Sequence, residues 1–385
     1  MKPLRVRLPA RPHDYEIKIG SGLLPELGPH LRAVMTSGAR RVAVISNKTV
    51  FDLFGAKVMT SLRRAGFLPA HWLMKDGERY KSIRSLEQAL TFLSTLGLER
   101  SDAVVALGGG VVGDLAGLAA ATYMRGIALV QAPTTLLAQI DASVGGKTAV
   151  NLPAGKNMVG AFHQPRLVLV DTDTLRTLPV RELTAGWCEA VKQGAAGDRK
   201  LFDRTVRLLR RNGPELTPIS ERVKAQTELS ATIAAQCRFK VTVVAGDERE
   251  DARRTDHRSR RILNFGHTTG HALESVTGYR RFRHGEAVGY GMLVAAEISK
   301  NLGMLSPDAV ELLREAVALC GKLPRADDLA IDSIMRAMAT DKKMVAGSTK
   351  WVLLERLGRA RITDAREISA RVLRASLRAG LKSLP

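Results

Sequence analysis

Leu263 to Glu274, read LNFGHTTGHALE, gathers the side chains with the most chemical capacity in this chain. At about 3.6 residues per turn, Asn264, His267 and His271 are predicted to fall within roughly 60° of one another on a single helical face. Two imidazoles and an amide on one face suit a metal or a polar ligand and do not suit a packed core. A third histidine follows in His284-Gly285-Glu286. A carboxylate from Glu189, in GWCEAVKQG (186–194), joined to His267 and His284 makes a His2Glu site with an open position, able to polarise an oxygen as a Lewis acid. The rival choice is His267 with His271, the i, i+4 spacing of zinc-binding helices, and spacing alone leaves both open. Glu189 and Lys192 are also i, i+3 neighbours, which taken by itself reads as an exposed ion pair of little worth.

Glycine-rich stretches supply a second kind of chemistry. The predicted strand ending at Leu107 runs into GGGVVGD (108–114), which satisfies G-x-G-x-x-G and lets backbone N–H groups approach a pyrophosphate at a helix N-terminus. The acidic residue expected about 20 positions later, to hold a ribose hydroxyl, is replaced by Val-Gln-Ala-Pro-Thr-Thr-Leu at 130–136. The loop also follows a later strand and not the first. Asn47, after the first strand, and the Asp76-Gly77-Glu78 turn are alternative ribose partners. DASVGGKT (141–148) ends like a Walker A loop, but Asp141 stands where its first glycine belongs, which argues against nucleotide hydrolysis. What remains is the Gly-flanked Lys147, followed by a second lysine in Gly155-Lys156-Asn157. Both are suited to phosphate or carboxylate.

These groups need elements to hold them. Between Arg41 and Asp171, the runs VAVIS (42–46), AVVAL (103–107), ALVQA (128–132) and LVLVD (167–171) alternate with helical patterns, predicting a parallel sheet covered on both faces. After Leu178-Pro179 strand signals nearly vanish, WVLLE (351–355) excepted, and amphipathic helices run to about Thr340. The expected organisation is an α/β Rossmann-like domain over 1–178 and an all-α domain over 179–385, in keeping with a length of 385 residues.

Composition narrows the partners. The most apolar stretch, Ala103 to Met124, is broken by Asp114, so no membrane span is expected. The first residues, Met1-Lys-Pro-Leu-Arg-Val-Arg, carry no apolar run, so no signal peptide is expected. Cys188, Cys237 and Cys320 form no CxxC pair, which fits a reducing cytoplasm, and Cys188 reads as a core thiol. A net charge of +21 asks for an anionic partner, either nucleic acid or a phosphorylated substrate. The cations are scattered and only 4% of residues are aromatic, so stacking platforms are scarce and nucleic acid is disfavoured. Two concentrations stand out: Arg253, Arg254, Arg258, Arg260 and Arg261, and the arginines from Arg356 to Arg378, whose spacing predicts a solvated helix face.

Taken together, the motifs resemble the 3-dehydroquinate synthase family, from Tyr15 to about Leu357. The most specific blocks are DGERYK (76–81), ALGGGVVGDLAG (106–117), QAPTTLLAQIDASVGGKTAVN (131–151), GKNMVGAF (155–162), LNFGHTTGHA (263–272) and HGEAV (284–288). The resemblance implies the dehydroquinate synthase-like fold: a Rossmann-like domain and a helical domain with the active site in the cleft between them. It implies NAD against Asp76, Gly77, Glu78, Arg79, Tyr80, Lys81, Gly109, Gly110, Val111, Val112, Gly113, Asp114, Thr134 and Thr135. Asn47, Lys147, Lys156 and Thr174, Leu175, Arg176 and Thr177 complete that set. It places zinc, or cobalt, on Glu189, His267 and His284. It implies substrate contacts from Arg125, Asp141, Asn157, Lys240, Arg260, Lys342 and Lys343, and catalytic roles for Lys147, Lys192, Asn264 and His271.

The implied substrate is a phosphorylated sugar acid, 3-deoxy-D-arabino-heptulosonate 7-phosphate. Transient oxidation by NAD acidifies a C–H, phosphate is eliminated, the hydride returns, and an intramolecular aldol step closes the ring. A homodimer in the cytoplasm is the implied setting. The alternatives are another sugar-phosphate cyclase, a metal-dependent alcohol dehydrogenase of the glycerol kind, and a non-enzymatic basic RNA-binding relative. Against the family's common G-[LM]-A-E-V-I-K-Y-G, this chain has Trp187, Cys188, Ala190 and Gln193, and Thr269 replaces a usual Phe. The basic stretch between Glu250 and Arg260 is a few residues longer than in many relatives. No proposed ligand is lost.

Overall fold

Continuous apolar runs without polar alternation must be covered on both faces, and such runs form the middle of the sheet. The computed structural model describes residues 14–215, 223–251, 253–343 and 350–384. The first seven residues, read above for a signal peptide, lie outside that range. The strands of the first half are β1 (Glu16–Gly20), β2 (Arg41–Asn47), β3 (Leu68–Met74), β4 (Ala103–Gly108), β5 (Ala128–Pro133), β6 (Lys147–Leu152), β7 (Gly155–Phe162) and β8 (Leu167–Asp171). Six of them pair in parallel in the order β1-β8-β5-β4-β2-β3. The four expected runs are β2, β4, β5 and β8. The edge strands β1 (EIKIG) and β3 (LPAHWLM) escaped the sequence reading because charges, Pro and His interrupt them.

Alternate residues of each inner strand serve opposite faces. Val42, Val44, Val105 and Leu107 meet the helices α1 (Leu27–Val34) and α2 (Ala56–Arg64). Ala43, Ile45, Val104 and Ala106 meet α3 (Ile83–Thr95) and α4 (Gly110–Thr122). The chain passes from β2 to β3 in one direction, then from β4 through β5 to β8 in the other. Strand order therefore reverses between β2 and β4, and the carboxyl ends of these two flank a crevice of the kind where ligands bind in open α/β sheets.

Beyond Thr177 the helices are α5 (Val180–Gly197), α6 (Arg199–Asn212), α7 (Val223–Gly246), α8 (His267–Val276), α9 (His284–Asn301), α10 (Pro307–Ala318), α11 (Ile331–Lys343) and α12 (Ala370–Gly380). Residues Gly285 to Ser299 of α9 are all buried, and this helix forms the axis around which the others pack. The all-helical expectation needs amending, because β9 (Lys350–Arg356) and β10 (Arg359–Asp364) form an antiparallel hairpin. WVLLE lies in β9, whereas β10 (RARITD) pairs through backbone groups that its polar sequence does not announce. The C-terminal arginines are likewise corrected: Arg356, Arg359 and Arg361 lie on the hairpin, and only Arg371, Arg374 and Arg378 share helix α12. Among the described residues no helix is long and apolar enough to cross a membrane.

Candidate functional site

Lys147 and Lys156 apart, each segment singled out for a dinucleotide lies at the carboxyl end of a strand. Asn47 closes β2, Asp76 to Lys81 follow β3, Gly109 to Asp114 follow β4, Thr134 and Thr135 follow β5, and Thr174 to Thr177 follow β8. Gly109 caps α4 without any side-chain bond, so the first-turn N–H groups are left to a ligand, a cradle that fits pyrophosphate. A Cβ at Gly109 would lie 3.0 Å from Thr135 Cγ2, so glycine lets the loops after β4 and β5 touch. Lys81, 4% exposed, donates to Asp114 at 2.7 Å and lies 3.6 Å from Glu78. Burial works against its charge, but these two carboxylates outweigh it and raise its pKa. Asn47 Oδ1 accepts from the Val50 N–H, and Asp76 accepts from the Thr49 hydroxyl.

The histidines are brought together by a crossing of two helix backbones. Gly266 has φ +81°, and a Cβ on Gly291 would stand 1.9 Å from Gly266 O. Only glycine tolerates this contact between α8 and α9. Gly291→Ala is expected to cost about 1–3 kcal/mol, read as a lower urea midpoint. The crossing sets His267 and His284, the first residues of their helices, with ring centroids 5.1 Å apart. His271 lies 5.4 Å from His267 and 5.8 Å from His284, and one ligand atom from each of the three falls within 4.8 Å of the others.

The single helical face is corrected at Asn264. That residue ends a 3-10 turn (Arg260–Asn264), and the left-handed Gly266 separates the turn from α8. Burial first, then the charges of Lys192 and the neighbouring histidines, hold the His267 pKa well below its usual value. The ring is therefore neutral at pH 7, as a metal ligand must be.

Glu189 reaches the histidines from α5, with His284 Nε2 3.6 Å from its Oε1. Lys192 Nζ lies 2.5 Å from Glu189 Oε2, yet neither oxygen of this fully buried carboxylate has a hydrogen-bond partner in good geometry among the described residues. A buried carboxylate with Lys192 on one oxygen and the other turned to the His284 ring, without a hydrogen bond, fits a divalent cation. The expected exposed Glu189–Lys192 pair is thus corrected, since Lys192 is only 1% exposed.

From here the charges alternate in space. Lys192 lies 3.9 Å from Asp141, which also pairs with Lys240. On the other side, His284 Nδ1 lies 3.1 Å from Glu274 Oε2, and Glu274 Oε1 accepts from Lys156 Nζ at 2.9 Å. Burial penalises the Asp141 carboxylate, but Lys240 and Lys192 depress its pKa well below the usual range. Burial likewise opposes the Glu274 charge, but the hydrogen bond and charge of His284, aided by Lys156, bring its pKa down to about 2.

A second cluster centres on Glu250, which pairs with Lys147 and accepts from Asn264 Nδ2 at 2.9 Å. Arg260, buried beside it, donates to Gly145 O at 3.0 Å and Glu248 O at 2.6 Å. Arg253 and Arg254 are paired with Asp251 and Asp256, so two of the five arginines of that stretch are neutralised locally. Lys147 opens β6 and Lys156 lies in β7, so the Gly-flanked lysines ride a hairpin. Asn157, exposed on the same hairpin, donates its N–H to Asn151 Oδ1.

Arg125 is not gathered with the others. It is exposed and precedes β5, about 20 Å of strand from the carboxyl edge. Lys342 and Lys343 end α11, but their side chains lie outside the described ones. Glu250 and Glu274 escaped the sequence reading. Glu250, in the run DERE, reads as solvated surface. Glu274 had a signal, standing seven residues after His267 and so on the same helical face.

Residues 71–185 match the 3-dehydroquinate synthase N-terminal family model, and residues 186–344 the C-terminal one. A 3-dehydroquinate synthase from Gloeobacter violaceus is 44% identical over 377 residues, covering 97% of this chain and 98% of its own. The 2-epi-5-epi-valiolone synthase of Streptomyces hygroscopicus subsp. jinggangensis, solved with NAD+ and Zn2+, superposes with a TM-score of 0.84 at 26% identity, covering 97% of this chain and 98% of that one. A 2-deoxy-scyllo-inosose synthase, solved with carbaglucose-6-phosphate, NAD+ and Co2+, gives 0.80 at 26%, covering 95% and 97%.

Proposed function

The chain belongs to the 3-dehydroquinate synthase family, and from that premise we propose how its residues divide the work of turning 3-deoxy-D-arabino-heptulosonate 7-phosphate into 3-dehydroquinate and phosphate. The activity is that of an NAD- and metal-dependent, phosphate-eliminating lyase. The observation that carries the division is the buried carboxylate of Glu189, with one oxygen facing His284, itself packed against His267, and with Lys192 leading on to Asp141 in the segment after β5.

Glu189, His267 and His284 hold the metal, and the segments after β2, β3, β4, β5 and β8 hold NAD. When bound, NAD supplies a reversible hydride acceptor and zinc or cobalt a Lewis acid. Lys192, fixed between Glu189 and Asp141, presents a desolvated ammonium to the substrate hydroxyls. His271, exposed on the cleft side of α8, moves protons at the reacting carbons. Lys147, Asn264 and Arg260 receive the substrate's anionic ends, with Glu250 holding the first two in place beforehand. Lys240, anchored on Asp141, adds a further cation.

We assign residues 1–178 to the NAD-binding domain and 179–385 to the metal- and substrate-binding one, in support of which the sheet ends at Asp171 and the long helices begin at Val180. Arg125, on the far edge of the sheet, can serve a substrate only in another copy of the chain, which supports a homodimer.

The test incubates protein, NAD, zinc and the heptulosonate phosphate while following phosphate and NADH together. Stoichiometric phosphate release without lasting NADH is expected, abolished by a chelator. Accumulating NADH would indicate a dehydrogenase, and no turnover of this substrate would indicate a different cyclase.

A further inference from the structure

Glu274 has no part in the division of labour above, yet it is 3% exposed and touches both the metal ligand His284 and Lys156, which the family resemblance sets against NAD. Its Oε2 lies 3.1 Å from His284 Nδ1, and its Oε1 accepts from Lys156 at 2.9 Å. Neither oxygen is spare. The Lys156 ammonium also stands 4.5 Å from the centroid of the Tyr279 ring, while the Tyr279 N–H donates to Glu274 O at 2.8 Å. Lys156 comes from the β7 hairpin, whereas Glu274 and His284 come from α8 and α9. One carboxylate therefore ties the cofactor side of the cleft to the metal side.

We propose that Glu274 is a positioning residue that orients His284 for the metal and couples metal affinity to cofactor occupancy through Lys156. The proposal rests on the metal role assigned above to His284 and on the NAD contact that the family resemblance implies for Lys156. A carboxylate at Nδ1 selects the tautomer with its proton on that nitrogen and leaves the lone pair on Nε2, the atom that faces Glu189. Lys156 draws on the same carboxylate. A cofactor that takes up the Lys156 charge leaves more of the anion to His284 and so makes Nε2 a better donor. By linkage, metal must then strengthen cofactor binding by the same factor.

The experiment titrates cobalt into the full-length apoprotein with and without saturating NAD, reading affinity by chelator competition and geometry by the visible cobalt spectrum. In the unaltered protein, NAD is expected to tighten cobalt binding. Glu274→Ala should weaken cobalt binding about 10- to 100-fold and alter the spectrum. Glu274→Gln, whose amide oxygen can still accept from Nδ1–H, should recover part of the affinity but lose the response to NAD. Lys156→Met, with NAD raised to saturate this variant, should also lose the response.

If the alanine variant fails to fold, the glutamine variant decides. Cobalt affinity, spectrum and NAD response unchanged in Glu274→Gln would overturn the proposal. His284→Ala separates the two levels. If it keeps its metal the site assignment itself is wrong, and if it loses metal while Glu274→Gln is unaffected only the coupling role fails.

Discussion

His267→Ala is expected to emerge from purification without bound metal and without measurable turnover, whereas His271→Ala keeps its metal and still loses about 100-fold or more in kcat. The asymmetry follows from where each ring sits. His267 is the first residue of α8, held neutral by burial and packed 5.1 Å from His284. Its removal leaves Glu189, which has Lys192 on one oxygen and no hydrogen bond on the other, with one imidazole fewer to share a cation. His271 stands one helical turn further on and is exposed, where it meets a substrate more readily than a closed ligand set. The three rings are close enough for the alternative of a three-histidine site, so the comparison is informative. Metal content and kcat, measured on both variants, settle it. Equal loss of metal from the two would refute the separation and return His271 to the coordination shell.

Lys192→Met should be the most destabilising of the site substitutions. The ammonium is 1% exposed and lies between Glu189 and Asp141, at 2.5 and 3.9 Å. Methionine fills the volume but leaves one buried carboxylate without its cation and weakens the support of another. Removing one partner of a buried pair costs about 3–5 kcal/mol, mostly because the remaining charge is stranded. Bound zinc would compensate part of this by neutralising Glu189. The loss, measured by urea denaturation, should therefore be larger in the apoprotein than in the metal-loaded protein, and turnover should fall in both. A loss below about 1 kcal/mol in the apoprotein would show that the lysine is not neutralising a buried array.

How much of this was legible beforehand depended on the range of the interactions. The inner strands β2, β4, β5 and β8 announced themselves through their apolar runs, and the turn from β4 into α4 through its glycines, because both properties are local. The edge strands β1 and β3 and the hairpin strand β10 did not, since backbone pairing with a distant segment, rather than composition, makes them strands. Asn264 was misplaced onto the helix of His267 because the left-handed turn at Gly266 is imposed by α9 pressing against it. Glu250 offered no local sign at all. Its carboxylate has meaning only because the chain returns to bring Lys147, 103 positions earlier, against it.

By itself the sequence determined the family, the parallel sheet with its glycine-rich loop, and a set of residue types suited to a metal, since these rest on periodicity and on motifs of consecutive residues. Tertiary structure alone decided that Glu189 and Lys192 are buried, that three histidines from two helices converge, and that Glu274 bridges to Lys156. Those facts depend on helix crossings and on solvent exclusion, which arise only when segments far apart in the chain pack together. Burial turns what reads as a surface ion pair into a desolvated array whose charges must be matched, and that requirement is absent from any local stretch of sequence.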